Sequence, residues 1–345
     1  MFDCVVVGAG PSGCRTAEII AREGYEVLIL EEHPKIGEPV QCTGLVSKRI
    51  GKIPKSIILN KIEKARFFCG ENFFEIDSKE PMFVLDRRNY DLWLAERAKK
   101  AGAEIKTSTR FIDLKNGIIF TTKGKFQTKI LVGADGPNSS VAKKARIKQP
   151  ENLFFALQVK VKSTFDDNSV ELHFGSNIAP SGFAWIVPEN EKIARVGLMS
   201  NKNPNNYLET FLKKRFGKIE FHEKIGDVLR FGIIEKSVKG NVLLVGDSAC
   251  QIKPFSGGGL VYNKICSEVA GKAIVKALEE ENFSEKFFIE NYDKKWKEKL
   301  IWPIRKGLIL KWIFSNFSSP TAFSIVRNFG LTKIAGWLDV DFLKK

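Results

Sequence analysis

The first 31 residues constrain the fold more than any other stretch of the chain. FDCVVVG (2–8) reads as a strand, PSGCRTAEIIAREG (11–24) as a helix and YEVLIL (25–30) as a second strand that ends at Glu31. The turn between them holds G-x-G-x-x-G at Gly8, Gly10 and Gly13, with Ser12 inside it. In such a unit the first glycine permits the tight turn, the second lets a pyrophosphate approach the backbone, and the third lets helix pack on strand. Glu31 is placed to accept hydrogen bonds from a ribose, and its charge disfavours a 2′-phosphate. The unit therefore suits the adenosine of FAD or NAD better than that of NADP.

A second segment, NVLLVGDSACQIKPFSGGGL (241–260), carries more chemistry. Val242 to Val245 read as a buried strand whose tip is Gly246-Asp247. A loop then leads through Pro254 to Gly257, Gly258 and Gly259, and helical periodicity begins at Leu260. A carboxylate thus stands beside a helix entry whose free N–H groups favour negative charge. The pair suits a cofactor with hydroxyls on its linker and a ring that becomes anionic on reduction, which is a flavin.

Between these segments lie a loop carrying Gly37, Pro39, Cys42 and Gly44, a hairpin at 65–77, and a helix opened by Asp86-Arg87. GADG at 133–136 is another strand running into a carboxylate-bearing turn. Asp135 there is either a turn or cap residue or a group facing the cofactor. From 151 to 236 strand-like runs dominate, with one helix near 205–216. The last stretch reads as helices at 284–300, 302–317 and 319–330. The middle one mixes Trp302, Trp312, Phe314 and Phe317 with Arg305, Lys306 and Lys311, a pattern that fits a membrane interface or a helix packed on the protein. The expected fold is α/β (α+β). A Rossmann-like FAD-binding domain (1–60, 82–150, 238–280) carries an inserted β-rich substrate domain (61–81, 151–237) and a helical C-terminal region (281–345).

Lys and Arg number 55 against 40 Asp and Glu, a formal charge of +15. The basic residues are scattered rather than gathered with aromatics in one module, which argues against nucleic acid and leaves an anionic membrane surface or a Lys-rich exterior. Six cysteines at 4, 14, 42, 69, 250 and 266 form no CxxC and no metal-binding spacing, so no metal site is expected. The first strand begins too early for a signal peptide, and no run of about 18 apolar residues occurs. A cytoplasmic, reducing location follows, with peripheral contact at the inner face of the cell membrane as an option.

GAGPSG, Glu31, Asp86-Arg87, GADG and GD…PxxGGG together resemble FAD-dependent proteins of the p-hydroxybenzoate-hydroxylase structural class. Within that class the chain is similar to the geranylgeranyl reductase family in three places: GEPVQCTG around Cys42, QIKPFSGGGL, and PSGFAWIVP at 180–188. Phe183 and Val187 replace a tyrosine and a phenylalanine of the last box, and Thr43 stands where a glycine is common. The resemblance covers most of the chain to about residue 280 and implies flavin contacts at Ser12, Glu31, Cys42, Thr43, Leu45, Arg87, Phe111, Asp247, Gly259 and Leu260. Gly8, Gly10, Gly13, Asp135 and Gly258 complete the expected cofactor set.

The resemblance implies hydride transfer from reduced FAD to C=C bonds of a geranylgeranyl-type lipid. Phe183, Trp185 and Pro188 are expected to bind the substrate, and Cys42 is either the catalytic thiol or a small buried residue. Cys250 is a weaker alternative. With no second G-x-G-x-x-G and no Cys pair, electrons come from transiently docked NAD(P)H or a ferredoxin-like carrier. A flavin monooxygenase or halogenase, and a non-catalytic lipid-binding flavoprotein, share the same motifs at fold level.

Overall fold

Cys4 to Val7 and Val27 to Leu30 are buried without alternation, the pattern of parallel strands covered on both faces. The computed structural model describes residues 1–218, 221–316, 320, 321 and 324. Its strands are β1 (Phe2–Val7), β2 (Val27–Leu30), β3 (Leu45–Ser47), β4 (Ile58–Cys69), β5 (Asn72–Leu85), β6 (Glu104–Lys106), β7 (Phe111–Lys115), β8 (Ile118–Thr121), β9 (Gly124–Gly133), β10 (Asn152–Lys162), β11 (Ser169–Phe174), β12 (Phe183–Asn190), β13 (Ile193–Ser200), β14 (Phe221–Phe231), β15 (Val238–Lys239) and β16 (Val242–Leu244). Its α-helices are α1 (Pro11–Arg22), α2 (Arg87–Lys100), α3 (Ser140–Ala145), α4 (Pro204–Phe216), α5 (Leu260–Glu279), α6 (Glu285–Phe288) and α7 (Lys294–Asn316).

The first sheet runs β15-β16-β9-β1-β2-β6, with β1 parallel to both β2 and β9, and β16 parallel to β9. The βαβ reading of the N-terminus therefore holds, and the strand at 242–244 returns to the same sheet from far along the chain. Strand β1 is central, so α1 and α5 pack together over it, and Gly271 of α5 sits where a methyl would meet Ile19 at 2.7 Å.

The second sheet has the order β14-β10-β13-β12-β11-β4-β5-β3 and is antiparallel except at β11–β4. It takes in more chain than 61–81 and 151–237, because β3, all of β4 and all of β5 belong to it. Strand β14 was not legible in FHEKIGDVLRF, whose apolar residues lack a strict period of two. Side chains alternate along β12: Phe183 and Trp185 join one core cluster, while Ala184 and Ile186 join another with α4.

At the C-terminus the expected division between helices at 284–300 and 302–317 does not occur, although Pro303 follows it directly. Helix α7 runs through it as one element after a π-helical turn at Ile289–Asp293. Proline removes one helical hydrogen bond, a loss of about 3 kcal/mol. Here the buried stripe of Trp296, Leu300, Ile304 and Leu310 holds the helix against the body on both sides of that defect. Asp293 anchors its start by accepting hydrogen bonds from Ser237 N (2.9 Å) and Oγ (2.7 Å) and from Lys297 Nζ (2.7 Å). Most of the helix expected at 319–330, with Phe317, lies outside the described residues.

Candidate functional site

The site begins where two segments more than 200 residues apart touch. Gly246 has φ +81°, and a Cβ there would lie 2.1 Å from Ser12 Oγ. Only glycine combines that backbone conformation with so close an approach. The contact brings the tip of β16 onto the G-x-G-x-x-G turn. Gln251 holds it there, accepting from Gly246 N (2.7 Å) and donating to the Tyr292 hydroxyl (3.0 Å). Tyr292 in turn donates to Leu244 O. Neither Gln251 nor Tyr292 was singled out in the sequence, because their partners come from distant elements.

In the turn itself, Gly8 (φ +104°) approaches Ala134 O so closely that a Cβ would stand 2.3 Å from it. Gly13 packs on Gly8, whereas the space before Gly10 is open to at least 4 Å. Gly10 caps α1 without a side-chain hydrogen bond, so the first N–H groups of the helix, after Pro11, have no side-chain cap. Glu31 borders that opening, accepting from Ala9 N (2.8 Å) and His33 N (2.9 Å). The segment leading to Phe111 runs alongside, with Thr109 N donating to Glu31 O (2.7 Å). An anion at the helix entry and a ribose at Glu31 fit this geometry.

Asp135 behaves otherwise. Its oxygens accept from Ser139 Oγ (2.6 Å) and Val141 N (3.1 Å), which ties it to the start of α3. The expectation that Asp135 faces a cofactor finds no support in this geometry. What GADG gives the glycine turn is the Ala134 carbonyl.

On the far side, Asp247 accepts from Asn263 Nδ2 (3.2 Å), and the Asn263 Oδ1 is buried without a partner. A buried acceptor left unsatisfied is costly, on the order of 1–3 kcal/mol. Together with Asp247 it presents two acceptors beside Gly259, which caps α5 with no side-chain hydrogen bond. Gly258 and Leu260 flank that entry. Hydroxyl donors along a linker would satisfy the acceptors, and the helix entry would favour an anion beyond them. The residues fit a dinucleotide whose linker bears hydroxyls.

Burial raises the Asp247 carboxyl above the usual carboxylate range, against the pull of Asn263 and Arg87. Burial and the neighbouring Asp247 push Asp227 of β14 up to about 7, opposed by the Val228 N–H and by Arg87. Arg87 itself is paired with both oxygens of Asp91 (3.0 and 3.1 Å). Asp227 gave no signal in the sequence, since it stands alone in a weak strand.

The Cys42 loop closes the site from the second sheet. Thr43 Oγ1 donates to Gln158 Oε1 (2.9 Å), which also accepts from Trp185 Nε1 (3.2 Å). Arg195 Nη1 donates to Thr43 O (2.6 Å) and Leu85 O (3.1 Å), while its Nε binds Glu189 Oε1 (2.6 Å). Leu45 then enters β3 beside Val84. Five of the six cysteines are buried, and Cys42 is the partly exposed one. Burial pushes the Cys250 thiol up to about 12, so it stays protonated and inert.

Phe183 lies among Phe174 (centroids 5.5 Å), Phe255 (6.0 Å) and Trp185 (6.0 Å). Pro188, also expected to bind substrate, lies by strand alternation on the face opposite Phe183 and Trp185, and its carbonyl accepts from Asn60 Nδ2 (3.0 Å). The aromatic face borders a small, partly open pocket, and Lys311 of α7 lines it. The Lys311 Nζ is buried with no hydrogen-bond partner, 3.5 Å from the Phe154 ring centre and 4.2 Å from that of Phe231. Desolvation pushes this ammonium down to about 7. Each ring face contributes roughly 1–2 kcal/mol, which falls short of the several kcal/mol lost by an ammonium without acceptors.

Residues 154–229 match the model of the geranylgeranyl reductase catalytic domain, and residues 6–41 match an NAD(P)-binding Rossmann-like domain. A digeranylgeranylglycerophospholipid reductase of Methanosarcina acetivorans is 32% identical, over all of this chain and 92% of its own length. The protein of the same name from Methanocaldococcus jannaschii is 32% identical over 87% of this chain and 83% of its own. Among solved structures, a geranylgeranyl bacteriochlorophyll reductase-like protein from Thermoplasma acidophilum superposes with a TM-score of 0.86 at 26% identity, covering 94% of this chain and 90% of its own. A flavin-dependent brominase, at 17% identity and a TM-score of 0.77 over 98% of this chain and 93% of its own, shares the fold.

Two outcomes test this geometry. Arg195→Met removes the anchor of the Cys42 loop and leaves Glu189 with Lys160 alone (3.6 Å), so stability should fall by about 3 kcal/mol, with hydrogen exchange at 41–45 accelerating. Unchanged exchange there would show that the loop is held by other contacts. For Asp227, the folded protein keeps a proton that the unfolded chain releases near about pH 4, so its stability falls as pH rises from there towards 7. Asp227→Asn removes that loss. The urea midpoint of the variant relative to the parent should therefore be higher at pH 8 than at pH 5, and an equal difference at both would contradict the raised carboxyl.

Proposed function

Because this chain belongs to the geranylgeranyl reductase family, we propose that it is a flavin-dependent reductase that saturates C=C bonds in the geranylgeranyl chains of archaeal-type glycerophospholipids, with FAD as resident cofactor. The observation that carries the cofactor is the pair of acceptors, the partly exposed Asp247 and the buried, unpartnered Asn263 Oδ1, beside the uncapped entry of α5. Flavoproteins known by structure, a halogenase with FAD among them at 16% identity, support the flavin through fold alone.

Saturating an alkene takes a hydride and a proton, and a reduced flavin supplies the hydride when bound. The chain's own residues do the rest. The N–H groups at Gly10 and α1 receive the diphosphate, and Glu31 the ribose. Asp247 and Asn263 orient the linker hydroxyls. The entry of α5 at Gly258, Gly259 and Leu260 stabilises negative charge at the ring edge. Arg195 and Gln158 hold Cys42, Thr43 and Leu45 against the second sheet, and the partly exposed Cys42 Sγ accepts from Gly44 N (3.3 Å). Phe183 and Trp185 form an apolar wall that orients a prenyl chain and excludes water. Electrons are supplied from outside, by NAD(P)H that docks transiently or by a ferredoxin-like carrier.

The exposed face of α7, with Trp302, Ile309 and Trp312 near Arg305 and Lys306, suits contact with an anionic lipid surface. No described helix is long and apolar enough to cross a membrane. The monooxygenase and halogenase alternative rests on structures 13–18% identical, which share the architecture only.

The holoprotein, reduced anaerobically and given geranylgeranyl glycerophospholipid, should yield products heavier by two hydrogens per double bond in mass spectrometry. Oxygen-dependent substrate turnover without saturation would assign it to the oxygenases instead. Cys42→Ala should keep its flavin while turnover drops by about 100-fold, and unchanged turnover removes Cys42 from the reaction.

A further inference from the structure

Lys311 is a buried cation with nothing to bind. It is 6% exposed, and its Nζ carries three N–H donors with no acceptor. Phe154 and Phe231 flank it with their ring faces, so it is held in place by apolar and π contacts alone. It lines the small cavity together with Phe174, Phe183, Phe255 and Phe314. Phe183 brings no hydroxyl there. The lining's other polar side chain is Ser181, which sits at a left-handed φ of 56° in the turn before β12. Strain of that kind in a residue other than glycine is retained where the position matters.

The charged groups on the elements around it leave Lys311 without a counter-ion. Arg305 and Lys306 on its own helix are cations. On β14, Arg230 donates to Pro137 O and Pro150 O, and Asp227 accepts from Val228 N. On β11, Glu171 binds His173 and Arg215. Among the described residues no carboxylate pairs with Lys311.

We propose that the cavity under α7 is a phosphate subsite, in which Lys311 and the Ser181 hydroxyl receive the phosphate of a prenyl lipid beside the aromatic wall. The assignment rests on the reductase reading for the prenyl part. The phosphate chemistry rests on Lys311 itself, and a free phosphate ion would meet the same donors.

Tryptophan fluorescence of the holoprotein at pH 6 supplies the test, with geranylgeranyl monophosphate, geranylgeraniol and inorganic phosphate as probes. The phosphate lipid should bind at least about tenfold tighter than the alcohol. Lys311→Met, which fills the same space with an apolar chain, should bring the ratio close to one while leaving geranylgeraniol binding within about twofold. Lys311→Arg should keep a preference for the phosphate. A ratio unchanged in Lys311→Met overturns the proposal, as does loss of geranylgeraniol binding in step with the phosphate. Displacement of the lipid by millimolar inorganic phosphate identifies the free anion as an occupant, and its failure to compete assigns the subsite to the lipid head. Anaerobic reduction of geranylgeraniol reports on the reductase reading separately. Turnover with no phosphate preference defeats only the subsite, and a phosphate preference without turnover defeats only the reductase reading.

Discussion

The contact between Gly246 and Ser12 organises this molecule. A glycine at positive φ allows the tip of β16 to reach the helix-entry turn of the N-terminal βαβ unit, where any side chain would collide with the Ser12 hydroxyl. The next residue, Asp247, is thereby aimed across the cradle rather than away from it. From the other side Gln251 and Tyr292 fix the same tip from within the core. Asp247 and Asn263 thereby stand between the glycine turn at Ser12 and the entry of α5 at Gly259. Two helix entries and a carboxylate are individually weak indications of a ligand. Their convergence, with a buried acceptor left unsatisfied, is specific.

The second sheet contributes by a different kind of interaction. Arg195 and Gln158 are side chains of β13 and β10 that reach the Cys42 loop through partly buried hydrogen bonds. Gln158 also holds the Trp185 indole, so the loop and the aromatic wall are positioned by one amide. Such a shared support explains how the one partly exposed cysteine of the chain comes to lie between the cradle and an apolar surface. It also sets the limit of the apolar region: beyond Phe183 the lining changes to Lys311 and Ser181.

The sequence was most legible where chemistry follows chain order. G-x-G-x-x-G, Glu31 and the run into Gly257–Gly259 report local backbone geometry, and each stands where its spacing implies. The box at 180–188 does not say which of its residues share a face, because a strand sends alternate residues to opposite sides and so separates Pro188 from Phe183 and Trp185. Asp135 was ambiguous for a similar reason, since a turn carboxylate can serve a helix start or a ligand and only packing decides. Arg195, Gln158, Asn263 and Asp227 left no pattern, because each acquires meaning from a residue on a distant element. Lys311 read as one cation of an amphipathic helix. Its burial depends on how α7 docks, and α7 continues through Pro303 only because its apolar stripe is held on both sides.

The central claim is that one cradle, closed by the Gly246–Ser12 contact, holds a single flavin dinucleotide. Acid release of the cofactor from the purified protein, identified by chromatography and set against protein concentration, tests it most directly. The account predicts one FAD per chain in the parent and at least about a tenfold lower content in folded Gly246→Ala, where the added methyl forces the two segments apart. A nicotinamide in place of FAD, or full FAD occupancy in Gly246→Ala, would contradict it.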